Sequence, residues 1–62
     1  MNIEVGDLVK DRRNGDVGVV CKWAITRENI WISVQFATGR RNMFADTAES
    51  LTEYLEVINE NR

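Results

Sequence analysis

The sequence contains no histidine and no proline, and it has a single cysteine, Cys21. Without histidine the chain cannot form a Cys/His zinc site or a Ser-His-Asp triad, and one cysteine cannot form an intramolecular disulfide. No apolar run approaches the ~18 residues of a membrane-spanning helix. Residues 1–9 contain Glu4 and Asp7 where a secretory signal would have an apolar core. These absences and the unpaired thiol predict a cytoplasmic protein that does not enter a membrane.

The chain has 62 residues, so we expect one domain over residues 1–62. A chain of this length buries only about 60% of its unfolded surface, and a deep catalytic cleft would remove much of the core that stabilises the fold. No phosphate-binding glycine motif and no metal-ligand spacing occurs, and no carboxylate pair stands out as an acid–base couple. The sequence therefore predicts a protein that is not an enzyme and that uses no cofactor or metal.

The hydrophobic pattern predicts an antiparallel sheet. The clearest two-residue period runs over residues 30–37, with Trp31, Ser33 and Gln35 on its polar side. The other predicted strands of the meander are residues 7–10, 16–23 and 40–45. Because proline is absent, no position in these segments is barred from a strand on that ground.

The acid-rich end of the chain, residues 46–62, fits two interpretations. Its apolar residues recur at helical spacing, whereas Tyr54 and Ile58 favour a strand. We expect a short helical turn over residues 48–52 and then a closing strand over residues 54–58, because a sheet this small needs its edges paired.

Several short motifs resemble those of a known class of small barrels. Gly6–Lys10 followed by Gly15–Val20 is similar to the opening strand, charged loop and glycine-valine turn of SH3-like barrels of the KOW and Tudor type. Later residues of this chain follow an order similar to the one that closes those barrels, namely Val34-Gln35-Phe36, Thr38-Gly39, Phe44 and Leu51. The resemblance implies an all-β fold, a small SH3-like five-stranded antiparallel barrel with a short helical turn before the last strand. Such barrels are binding modules far more often than enzymes.

The requirement that apolar faces meet predicts how the second and third strands pair. Placing Trp23 opposite Ile30 makes every facing pair apolar, and it puts Cys21 in the core as an inert thiol. A bulge at Gly18 would break this alternation. In the predicted register Trp31 lies on the outer face, opposite Lys22.

Phe44 has two alternative positions, which depend on the preceding turn. A three-residue turn over residues 37–39 pairs Phe44 with Ile32 in the core. A two-residue turn at Thr38-Gly39 puts Met43 in the core and places Phe44 with Trp31 on the outside. We expect Phe44 in the core, because it has more apolar surface to bury.

An outward-facing tryptophan predicts the first candidate site. Unless the end of the chain covers Trp31 or Lys22 stacks on its ring, this side chain is free to contact a partner. The predicted protein-binding face consists of Lys22, Trp31, Ser33 and Gln35. The corresponding function is that of a small interaction subunit or regulator in a larger cytoplasmic complex, present as a monomer or a weak homodimer.

Two arginine doublets predict an alternative site for nucleic acid. Residues 1–45 have a net charge of +2 and residues 46–62 have a net charge of −4. The first and third connections of a meander lie at the same end of the sheet. They should therefore bring together Arg12, Arg13, Arg40 and Arg41 as phosphate ligands for RNA or DNA. The acidic pI of about 4.9 favours a protein partner over a nucleic acid.

Overall fold

The computed structural model describes residues 3–59, which form five strands and one short helix. The strands are β1 (Leu8–Asp11), β2 (Val17–Ile25), β3 (Ile30–Phe36), β4 (Gly39–Ala45) and β5 (Leu55–Asn59), and the helix is α1 (Ala48–Thr52). All strands belong to one antiparallel sheet, and α1 lies directly before β5. The prediction of an all-β fold with five antiparallel strands and a helical turn before the last strand is confirmed. Within residues 3–59 no helix is long and apolar enough to span a membrane.

The strand order is β4-β3-β2-β1-β5, so β4 and β5 are the edges of the sheet. The chain passes from one edge to the other through α1, which contacts both edge strands. Thr47 caps this helix, since its hydroxyl oxygen accepts a hydrogen bond of 3.1 Å from the backbone N–H of Ser50. Leu51 is the buried residue of α1 and anchors it to the core.

The core lies on one face of the sheet and includes residues from every strand from β1 to β5. Its buried apolar residues are Ile3, Val9, Val20, Ile30, Ile32, Val34, Phe36, Met43, Ala45, Leu51 and Leu55. Trp23 and Val57 are partly buried and pack against this cluster. The predicted alternation of β3 is confirmed, because the core includes its even-numbered residues from 30 to 36.

The pairing of β2 with β3 differs from the predicted register. Trp23 lies opposite Ile32, where Ile30 was expected, and the register shifts between Val20 and Lys22. The shift leaves Cys21 at a bulge, so this thiol is half-buried and the predicted core position is wrong. The extra residue explains the error, since a bulge reverses which face each later side chain occupies.

Gly18 shows why the alternation was misassigned at the start of β2. The core side of β2 there consists of Gly18 and Val20, whereas Val17 and Val19 are each 43% exposed. A Cβ atom at Gly18 would lie 2.7 Å from Val34 Cγ1 and 2.7 Å from the Gln35 carbonyl oxygen. Only glycine fits this close approach of β3 to β2, and a residue without a side chain adds nothing to a hydrophobic pattern.

The turn between β3 and β4 contains two residues, Ala37 and Thr38, because Phe36 pairs with Gly39. Gly39 has φ 133, a backbone conformation that favours glycine. This register places Met43 in the core opposite Ile32, and it leaves Phe44 61% exposed. The expected core position of Phe44 is therefore wrong. Phe44 lies on the outer face with Trp31, as the alternative predicted, but the turn lies one residue earlier than the Thr38-Gly39 turn of that alternative.

Candidate functional site

An aromatic pair lies on the outer face of the sheet, next to its β4 edge. Trp31 of β3 is opposite Phe44 of β4 and opposite Ala24 of β2. Phe44 and Ala24 are exposed, and Trp31 is partly exposed. We call these three residues the aromatic patch. Trp31 thus lies on the predicted face, but Ala24 occupies the position opposite it that was expected for Lys22.

The other residues of the predicted protein-binding face differ in accessibility. Lys22 and Gln35 are exposed, whereas Ser33 is only 2% exposed. Ser33 lies between Lys22 and Asn42 in the row that crosses β2, β3 and β4, and these longer side chains flank its short one. Ser33 is therefore not accessible to a partner, contrary to the expected exposed position. Its buried state could not be predicted from residue type, because serine usually lies on the surface.

The second arginine doublet is split between the two faces of β4. Arg40 pairs with Gln35 on the outer face, and its Nη2 atom lies 3.8 Å from the Cys21 sulfur. Arg41 lies on the opposite face, 4.4 Å above the ring of Phe36. Its Nη2 donates a 3.1 Å hydrogen bond to Asp16. Successive strand residues point to opposite faces, so adjacent arginines cannot bind the same small ligand from one side.

The first doublet is held by hydrogen bonds and ion pairs around β1. Asp11 is fully buried and accepts hydrogen bonds from the backbone N–H, the Nε and the Nη2 of Arg13, at 2.9, 3.1 and 3.0 Å. The Arg13 guanidinium lies 5.1 Å from the centre of the Tyr54 ring. Arg12 instead donates from Nε to the Thr52 carbonyl oxygen at 2.9 Å, beside α1.

The electrostatics of the Asp11–Arg13 pair favour both charged forms. The side-chain hydrogen bonds from Arg13 lower the pKa of Asp11 below its ordinary value, and they outweigh burial, which acts in the opposite direction. The same hydrogen bonds raise the pKa of Arg13. The pair is therefore ionised at neutral pH and fixes the Arg13 guanidinium in place.

Three of the four arginines line one groove beside β4. Arg13 and Tyr54 line it together with residues 40–44 of β4, and the groove has a volume of about 580 Å³. We call it the arginine groove. The predicted convergence is therefore partial, since Arg12 does not line this groove. Tyr54, which sequence analysis used only to assign secondary structure, is the ring that holds Arg13, and no sequence pattern indicates that contact.

The described residues offer no metal site, because no three Cys, Asp or Glu side chains between residues 3 and 59 are arranged to hold an ion. The chain matches no protein-family model, and neither a curated protein nor a solved structure matches it. The function must therefore be inferred from the aromatic patch and the arginine groove themselves.

Proposed function

We propose that this chain is a non-enzymatic protein-binding module that contacts its partner through the aromatic patch. The observation that supports it is Phe44, 61% exposed and paired with Trp31 across β3 and β4. Full burial of such a side chain is worth about 1.5–3 kcal/mol, and a partner that covers Phe44 would recover the part of this free energy that its exposed surface forgoes. Aromatic side chains are also the most frequent binding hot spots at protein interfaces.

The surroundings of the patch support a protein interface. Lys22, Gln35 and Asn42 are exposed on the same outer face, and they give the aromatic pair a polar rim. An apolar centre with a polar, solvated rim is the usual anatomy of a protein interface. The thiol Cys21 and the small size of the domain support a cytoplasmic subunit or regulator of a larger complex. The helix before β5 and the five antiparallel strands support the resemblance to SH3-like barrels.

The test compares full-length baits for partner capture from the extract of the source cell. The variants are Phe44→Ser and Trp31→Ser in the patch, with Ile58→Ser on β5 as a matched control that also removes an exposed apolar side chain. We expect Phe44→Ser to reduce capture at least about tenfold while the unfolding midpoint stays near that of the wild type, because Phe44 lies outside the core. Equal capture by all four baits would refute the proposal.

The arginine groove supports nucleic-acid binding as a second candidate function. Its guanidinium groups lie beside Tyr54 and Phe44, and single-stranded nucleic acid is bound by cations and stacking rings of this kind. Two observations weigh against this candidate, because Asp11 and Asp16 each neutralise one of the three arginines. Titration with a mixed single-stranded oligonucleotide would support it if amide shifts gathered at Arg13, Arg40 and Arg41 and weakened with salt.

A further inference from the structure

We propose that the free edge of β4 binds an extended acidic segment of the partner as a sixth strand, with the arginine groove holding its carboxylates. The inference rests on the proposed protein-binding function. It adds the mode of binding, which is strand addition, and the charge of the segment that is bound.

The backbone of β4 supplies the first part of the argument. β4 is seven residues long and, among residues 3–59, its one strand partner is β3, so alternate backbone N–H and C=O groups face away from the sheet. Proteins block such edges with proline, bulges, very short strands, charged side chains or a covering helix or loop. β4 has no proline, and its pairing with β3 runs without a register shift. The other edge strand, β5, is five residues long and its pairing with β1 is interrupted by a register shift.

The charge of β4 determines what this edge can accept. Arg40 and Arg41 are the only charged residues of the strand, and they point to opposite faces. A second copy of β4 pairing edge to edge would bring four arginines together, so the strand disfavours self-association. A strand with acidic side chains would find a cation on each face of β4. Charge complementarity therefore selects an acidic segment over a second copy of this chain.

The guanidinium groups that line the groove have N–H donors that are not used in hydrogen bonds to aspartate. Within residues 3–59 Arg40 forms no ion pair with a carboxylate. Arg41 uses Nη2 for Asp16, and Arg13 uses Nε and Nη2 for Asp11. A guanidinium has five N–H donors, so each of the three retains donors for a ligand carboxylate. The rings of Phe36 and Tyr54 hold Arg41 and Arg13 in position, which reduces the entropy lost on binding.

The probe is a synthetic seven-residue peptide, Val-Glu-Glu-Val-Glu-Glu-Val, titrated into the ¹⁵N-labelled chain. Its adjacent glutamates point to opposite faces of an added strand, so each face of β4 meets a carboxylate. We expect amide shifts along β4 and slower hydrogen exchange at alternate β4 amides, because the new strand would bond them. A peptide with glutamine in place of glutamate should bind more weakly. Binding of the acidic peptide should also decrease as salt is added, because salt screens exposed charges.

A charge exchange tests the role of the groove. Arg40→Glu should weaken the glutamate peptide at least about tenfold, because it replaces a cation that has no carboxylate partner within residues 3–59 by a charge that repels glutamate. Arg40 forms no ion pair among residues 3–59, so this change leaves the fold intact. Arg27→Glu is the matched control, since it makes the same charge change at the exposed β2–β3 turn. The control should bind the glutamate peptide like the wild type.

Three outcomes would overturn the inference. One is peptide binding without slower exchange in β4, and another is equal binding of the glutamate and glutamine peptides. The third is a single-stranded RNA oligonucleotide that binds the groove more tightly than the acidic peptide. Failure here is distinct from failure of the proposed function. If partner capture depends on Trp31 and Phe44 but β4 amides gain no protection, the patch binds protein and strand addition is wrong.

Discussion

The two arginine doublets share one arrangement but differ in how deeply it is buried. In each doublet the second arginine bonds an aspartate and lies over an aromatic ring. Arg13 bonds Asp11, whose side chain is fully buried, through two side-chain N–H groups. Arg41 bonds Asp16, whose side chain is 40% exposed, through one. The burial of the carboxylate therefore decides which aspartate depends more on its arginine, since a buried carboxylate that loses its partner cannot be solvated.

The first arginines of the two doublets, Arg12 and Arg40, also differ in the contacts that they make. Arg12 is engaged by the Thr52 carbonyl oxygen at 2.9 Å and by Glu56 at 3.8 Å, so it connects the β1–β2 turn to α1 and β5. Arg40 has the Cys21 sulfur as its neighbour and no carboxylate partner within residues 3–59. The first doublet thus connects parts of the fold, whereas the second contains a cation without a carboxylate partner within residues 3–59.

The largest expected effect is that of Arg13→Ala. Removing this guanidinium leaves the buried Asp11 carboxylate without its ion-pair partner, and we expect a loss of about 2–4 kcal/mol in the free energy of unfolding. Urea denaturation at neutral pH, followed by the fluorescence of the two tryptophans, measures it.

Arg12→Ala is the control, because Glu56 and the Thr52 carbonyl can be solvated when Arg12 is removed. We expect that control to cost less than about 1 kcal/mol. Arg13→Lys keeps the charge but loses the paired N–H geometry, so its stability should fall between those of the wild type and the alanine variant. If Arg13→Ala and Arg12→Ala cost the same, burial of Asp11 does not distinguish the doublets.

The pH dependence of stability sharpens the comparison. Arg13 lowers the pKa of Asp11 in the folded chain below the ordinary 3.8, so the stability gained from this carboxylate is present above 3.8. It is lost as the pH falls further, through the lowered folded pKa. We therefore expect the stability difference between wild type and Asp11→Asn to be constant above about pH 5 and to shrink at lower pH. An unchanged difference down to acid unfolding would contradict the depressed pKa of Asp11.

The sequence predicts the face on which a side chain lies where the residues of its own strand determine that face. It fails where contacts between strands determine it. The alternation of β3 is a property of its own residues, so its core and outer faces, including the place of Trp31, were predictable. The register of β2 was not, because it depends on a bulge at Cys21 and on a close contact at Gly18 that only the folded sheet contains. Phe44 was misplaced because apolar character indicates burial but does not determine the turn that sets the register.

The arginine groove was predictable in part, because topology determines which arginines come together but does not determine their side-chain contacts. Topology places the β1–β2 connection, which carries the first doublet, at the same end of the sheet as the start of β4, which carries the second. Arg13, Arg40 and Arg41 do line one groove. Which arginines are already engaged depends on side-chain geometry, namely the reach of Arg13 to Asp11 and of Arg12 to Thr52. Such contacts join residues far apart in sequence or depend on rotamers, and no pattern of residue types specifies them.

The smallest expected effect is that of Arg41→Ala, and its salt dependence separates the two doublets. The Asp16 pair is half-exposed, so we expect a loss of about 1 kcal/mol, shared between the ion pair and the contact with Phe36. In about 1 M NaCl, where charges are screened beyond ~3 Å, that loss should shrink toward the ring contribution alone. The loss caused by Arg13→Ala should shrink less, because Asp11 is fully buried even though the Arg13 side chain is exposed, and partly buried pairs are screened less by salt. Urea unfolding of both variants and the wild type at low and high salt measures these losses directly.

An equal salt response of the two variants would mean that salt screens the two ion pairs equally. The guanidinium groups of the second doublet would then be no more available to a partner than those of the first.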